Sequence, residues 1–126
     1  MERQVSCGLK ITFLVHVIIA AIMGLITLLV PQVLGIMAGV KILEPETFRL
    51  VGAGLLAFAT SSALAYRQKS WENVKIIVIM EIVFGVLSTL AMIWGLITGA
   101  LPVSDWTNVV ILGGFAVAFI IFYFRK

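Results

Sequence analysis

Charge is scarce in this chain. Only 12% of its 126 residues are Asp, Glu, Lys or Arg, while 62% are hydrophobic. An ordinary soluble domain carries about twice that share of charge. A soluble globule of this size would have too little polar surface to cover itself, so the composition points to a bilayer as solvent. Cysteine is nearly absent: the lone Cys7 excludes an intrachain disulfide and any CxxC redox pair. Histidine is limited to His16, which excludes a bis-histidine haem. A metal site would have to rely on His16, Glu81 and hydroxyls, a poor donor set, so no metal and no cofactor is expected. No GxGxxG, P-loop, HExxH or GxSxG pattern occurs, which removes the fingerprints of the common cofactor, nucleotide, zinc and serine chemistries. The net charge of +3 is too small to imply nucleic acid as a partner. A cleavable leader is not expected either. The apolar run after Lys10 exceeds an h-region of about 7–15 residues, and no A-x-A-like site follows it.

What the chain does contain is four long apolar segments: 11–30, 46–66, 76–98 and 104–124. Each is near the ~20 residues that a 30 Å hydrocarbon core requires of a helix. Helices are the expected form, because isolated strands leave their backbone unsatisfied in lipid. Pro31 stops the first segment, and Pro45 suits the first turn of the second. Ser104 is expected to cap the fourth, with Asp105 favourable at the positive end of the helix dipole. The connections at 67–75 and 99–103 are short and force antiparallel neighbours. The 31–45 connection is longer and still apolar, and is expected to lie at the interface as a short amphipathic or re-entrant piece. The expected fold is therefore an all-α integral membrane protein, a single domain over residues 1–126, with four transmembrane helices in an antiparallel bundle.

The charges orient it. Arg3, Lys10, Arg67, Lys69, Lys75, Arg125 and Lys126 fall on one side, and only Lys41 and Arg49 on the other. The positive-inside rule makes the first side cytoplasmic, so both termini are expected inside a cell membrane. Tyr66, Trp71 and Tyr123 would mark the inner interface, and Trp94 and Trp106 the outer one.

With that topology each polar residue takes a depth. Glu81 lies five residues past the inner start of the third segment, roughly 8 Å in at 1.5 Å per residue. His16 lies equally far into the first segment, and Ser61 and Ser62 are at a matching depth in the second. Helical spacing puts Glu81, Gly85 and Ser88 on one face. It does the same for His16, Ala20, Gly24 and Thr27, and for Gly54, Ala57, Ser61 and Ala65. Small residues on one face are how membrane helices approach closely, so these faces are expected to point inward. The fourth segment carries Phe115, Phe119 and Phe122 on one face, read as a wall or an oligomer surface. Arg49 is three residues from Glu46 and can pair with it along the helix, or receive an anionic headgroup.

The stretch Pro45-Glu46-Thr47-Phe48-Arg49-Leu50-Val51-Gly52-Ala53-Gly54-Leu55-Leu56 resembles the start of the second helix in small four-helix bacterial and archaeal membrane proteins, of which the DoxX-like proteins are the best named. The resemblance implies a four-helix fold and a loose link to membrane redox complexes, with no signature that carries that activity over. Two expectations for function follow. The first is a structural, accessory or hydrophobic-ligand-binding role without catalysis, since no nucleophile–base set or metal cluster is present. Its partners would be membrane lipids and either further copies of the chain or a partner membrane subunit. The alternative is a dimeric proton-coupled small-molecule transporter using the Glu81/His16 layer, with Ser61, Ser88 and Arg49 as further candidates, because intramembrane acids often mark proton or cation paths.

Overall fold

A computed structural model describes residues 3–125 of the chain. Five α-helices follow one another: α1 (Cys7–Leu29), α2 (Pro31–Ala38), α3 (Pro45–Tyr66), α4 (Lys75–Ile97) and α5 (Trp106–Phe124). Single 3-10 turns at Trp71–Asn73 and Val103–Asp105 lead into α4 and α5. The protein is all-helical, and no strand forms among the described residues. Four stretches are long and apolar enough to cross a membrane: α1, α3, α4 and Val103–Phe124.

Local chemistry sets the helix ends. α1 begins four residues before Ile11 because Ser6 caps it. The Ser6 Oγ accepts from the Leu9 N–H at 3.2 Å, and the Ser6 carbonyl accepts the first helical bond from Lys10. α2 occupies the start of the apolar 31–45 connection. Pro31 opens it, and Gly39 closes it in the left-handed conformation at φ 68°. There the Gly39 and Val40 N–H groups bond back to the Ile36 and Gly35 carbonyls. The expected Ser104 cap does not form. Ser104 lies inside the 3-10 turn, and Asp105 precedes α5 without a side-chain cap bond. The Asp105 carboxylate instead accepts from the Asn108 side chain at 3.3 Å.

The chain divides into two compact units. The boundary falls inside α1, between Thr12 and Phe13. In the unit Phe13–Tyr66, α1 buries the row Phe13, His16, Ala20, Gly24 and Thr27. That is the face helical spacing predicts from His16 onward. α3 buries Gly52, Ala59, Ser62 and Ala65. The predicted α3 stripe is therefore displaced: Gly54 and Ala57 are exposed and Ser61 is only half-buried. The cause is a close backbone approach at Gly52, where an added Cβ would lie 2.5 Å from the Leu28 nitrogen and 2.8 Å from the Gly24 carbonyl oxygen.

In the other unit, which takes the chain up to Thr12 and from Arg67 onward, α4 packs along α5. The contact centres on Gly85, whose missing Cβ would sit 2.9 Å from that of Ala116. α4 buries Val78, Glu81 and Gly85, and α5 buries Val109, Ala116 and Phe119. Of the two readings of the phenylalanine face, the burial agrees with the wall. Phe119 is fully buried, Phe115 and Phe122 are half-buried, and the exposed row of α5 is Val110, Gly114, Val117, Ile121 and Phe124. Trp71 is buried within the protein, while Tyr66, Trp94 and Trp106 are exposed.

Candidate functional site

In the Phe13–Tyr66 unit, His16 is 9% exposed and its Nδ1 lies 2.8 Å from the Ser62 Oγ. The sequence pairs His16 with Ser61 by depth, but Ser61 turns back on its own helix and donates to the Phe58 carbonyl at 2.9 Å. Thr27, one turn from Gly24 on the same α1 row, donates to the Met23 carbonyl. Hydroxyls that bond within their helix add little between helices, whereas the His16–Ser62 contact joins α1 to α3 through side chains.

In the other unit Glu81 is 3% exposed. It shares its α4 face with the buried Val78 and Gly85, and Ser88 continues that face half-buried. Among the described residues no buried side-chain nitrogen or oxygen lacks a hydrogen-bond partner. The Glu81 carboxyl is therefore a satisfied group inside an apolar helix. No three of His, Cys, Asp and Glu converge to hold a metal ion among the described residues. Arg49 pairs with Glu46 on the first turn of α3, at 2.5 Å and largely exposed. That is the along-helix pair, at the end where an acid suits the helix dipole.

A second cluster was not legible in the sequence. The N-terminal residues run antiparallel to the connection between α3 and α4. The Val5 N–H donates to the Lys69 carbonyl and the Trp71 N–H to the Arg3 carbonyl, each at 2.8 Å, around an isolated Gln4–Ser70 bridge. The Arg3 guanidinium then closes over the end of α5. It donates to the carbonyls of Phe122 at 2.7 Å, Tyr123 at 3.3 Å and Arg125. It also stacks 3.9 Å above the Trp71 ring, which in turn contacts Tyr123 at a centroid distance of 6.0 Å. A cation at a helix C-terminus meets unpaired carbonyls and the negative end of the dipole, and the ring face adds a cation–π attraction. Arg3, Trp71 and the last turn of α5 form a clasp. Beside it lies a half-open cavity of about 160 Å³ bordered by Arg3, Ser6, Leu9, Phe122 and Arg125 among others.

No family model, curated protein or solved structure matches the chain. Two signals could have pointed to the clasp. Ser6 sits where a helix cap belongs, just before an apolar run, and Trp71 is an isolated aromatic in a short basic connection. Arg3 carried no local signal, since its carbonyl partners lie 119 to 122 residues away.

Proposed function

We propose that the chain is a small multi-pass membrane protein that crosses a bilayer four times. Both termini lie on the cytoplasmic side. Its role is structural or accessory, holding an apolar ligand or a partner subunit in the membrane without catalysis of its own. The supporting observation is the surface of the helices. Ile11, Leu14, Ile18, Ile22, Leu25 and Leu29 of α1 are exposed, as are Ile76, Val83, Leu87 and Leu90 of α4. Exposed aliphatic rows of this length belong in lipid or against another apolar chain.

The apolar contact surface moves from the phenylalanines of α5 to α2 and the residues after it. Ile36 and Met37 are 78% and 75% exposed, and Leu43 is as open. An eight-residue helix of this kind is too short to span and fits the interface or a partner. In layout the chain fits a DoxX-like accessory subunit. Native mass spectrometry in mild detergent tests this reading: a copurifying apolar ligand, lipid or partner chain is expected. A bare monomer that alkaline carbonate releases from membranes refutes it.

One observation favours a second reading, a proton-coupled transporter that works as a dimer. Glu81 is almost wholly buried in a helix rich in aliphatic residues, and intramembrane acids are proton-path candidates. Here Glu81→Gln is the test, in proteoliposomes under a pH gradient. The accessory role expects no gradient-driven flux in either protein. Flux in the native protein that disappears in the variant, with helicity unchanged, establishes the second reading.

A further inference from the structure

We propose that the cavity at the clasp binds the phosphate group of an anionic phospholipid, an inference that rests on the membrane assignment above. The polar part of its wall is Arg3, Gln4, Ser6 and Arg125, and the apolar part is Leu9, Trp71 and Phe122. Among the described residues no carboxylate lines it. Arg3 and Arg125 bring two positive charges to it, so the cavity attracts an anion and repels a cation. The planar fork of arginine matches a phosphate better than a point charge does. At about 160 Å³ the cavity is larger than a single buried water requires.

The apolar wall decides between a lipid and a free ion. Inorganic phosphate has nothing to offer Leu9, Trp71 and Phe122, whereas a phospholipid continues from its phosphate into glycerol and acyl chains. The cavity also lies where the first residues of α1 meet the last turn of α5. In a spanning protein that is the headgroup level. Basic pockets at that level on the cytoplasmic side recognise anionic headgroups. The same unit carries Lys10, Arg67, Lys69 and Lys75, while the 67–75 connection holds one acid, Glu72.

The two arginines take different parts. Arg3 is fixed by three carbonyls and the Trp71 ring, so its charge stands at the rim before any ligand arrives. Arg125 is exposed, and its backbone rather than its side chain serves the clasp. Its guanidinium can therefore be removed without undoing the fold.

The experiment uses the full chain in mild detergent with equimolar phosphatidylglycerol and phosphatidylcholine, read by native mass spectrometry. The native protein should retain phosphatidylglycerol in preference. Arg125→Gln should weaken that retention about tenfold, the loss of one charge-assisted contact. Lys41→Gln removes the same charge outside the cavity and should leave retention unchanged. Equal retention of the two lipids by the native protein overturns the site, as does an equal loss in Lys41→Gln. Inorganic phosphate that saturates the protein without any lipid preference assigns the cavity to a free ion and overturns the lipid. A carbonate wash separates the two levels of failure. Release from membranes refutes the membrane assignment and the site with it, while retention without lipid preference refutes the site alone.

Discussion

Gly52 and Gly54 are two residues apart on α3, and the structure makes opposite demands on them. An added Cβ at Gly52 would lie 2.5 Å from the Leu28 nitrogen, 2.8 Å from the Gly24 carbonyl oxygen and 2.9 Å from the Leu28 Cα. All three are backbone atoms of α1, so no side chain can swing aside. Restoring ordinary contact at about 3.5 Å forces α1 and α3 apart by roughly 1 Å. A gap of that size forfeits about a quarter to a half of each dispersion contact along the seam. Overpacking of this kind costs about 1–3 kcal/mol. At Gly54 an added Cβ meets nothing within 4 Å. Alanine's higher helix propensity, worth about 1 kcal/mol, acts at both positions and cancels between them. Gly52→Ala should therefore be less stable than Gly54→Ala by about 1–3 kcal/mol. Unfolding each variant with rising SDS in mixed micelles, followed by far-ultraviolet circular dichroism, measures that difference. Equal stabilities, or Gly54→Ala as the weaker protein, would refute the close approach of α1 and α3 at Gly52.

The same assay separates the two serines of α3. Ser62→Ala should cost about 1 kcal/mol through its contact with His16, and Ser61→Ala less than about 0.5 kcal/mol, because Ser61 bonds only within its own turn. Orientation can be read from the single cysteine, which is exposed at the start of α1. A membrane-impermeant maleimide should label Cys7 in inside-out vesicles and not in intact cells, and the reverse pattern would invert the proposed topology.

The helices were legible because apolar run length and turn residues dominate the signal. The inward face of α1 was legible too, since His16, Ala20, Gly24 and Thr27 are the small and polar residues among large aliphatic ones. α3 offered no such contrast. Gly52, Ala53, Gly54, Ala57, Ala59, Ser61, Ser62, Ala63 and Ala65 surround the helix with small side chains, so several stripes satisfy helical spacing. The contact with Gly24 and Leu28 picks the stripe through Gly52. That rotates the helix by about one residue, roughly 100° at 3.6 residues per turn, and exchanges Ser61 for Ser62. α5 left its two readings, wall or oligomer surface, open for a related reason. It is apolar on every side, so its phenylalanines carried no information about which side faces α4.

The clasp bears on topology in a way that charge counting does not. Counting treats Arg3 as one of seven interchangeable cations on one side. In the structure Arg3 holds the carbonyls of Phe122, Tyr123 and Arg125, so the first and last described residues meet. A chain whose ends meet on one side of a bilayer must cross it an even number of times. Five helices would give an odd number if each one crossed. α2 has eight residues, about 12 Å of helix at 1.5 Å per residue, and cannot cross a core of about 30 Å. That leaves α1, α3, α4 and α5. For a chain in a bilayer, the even parity set by one arginine and the length of one short helix agree with the four crossings proposed above without any appeal to charge, and charge then bears only on which side the clasp would face.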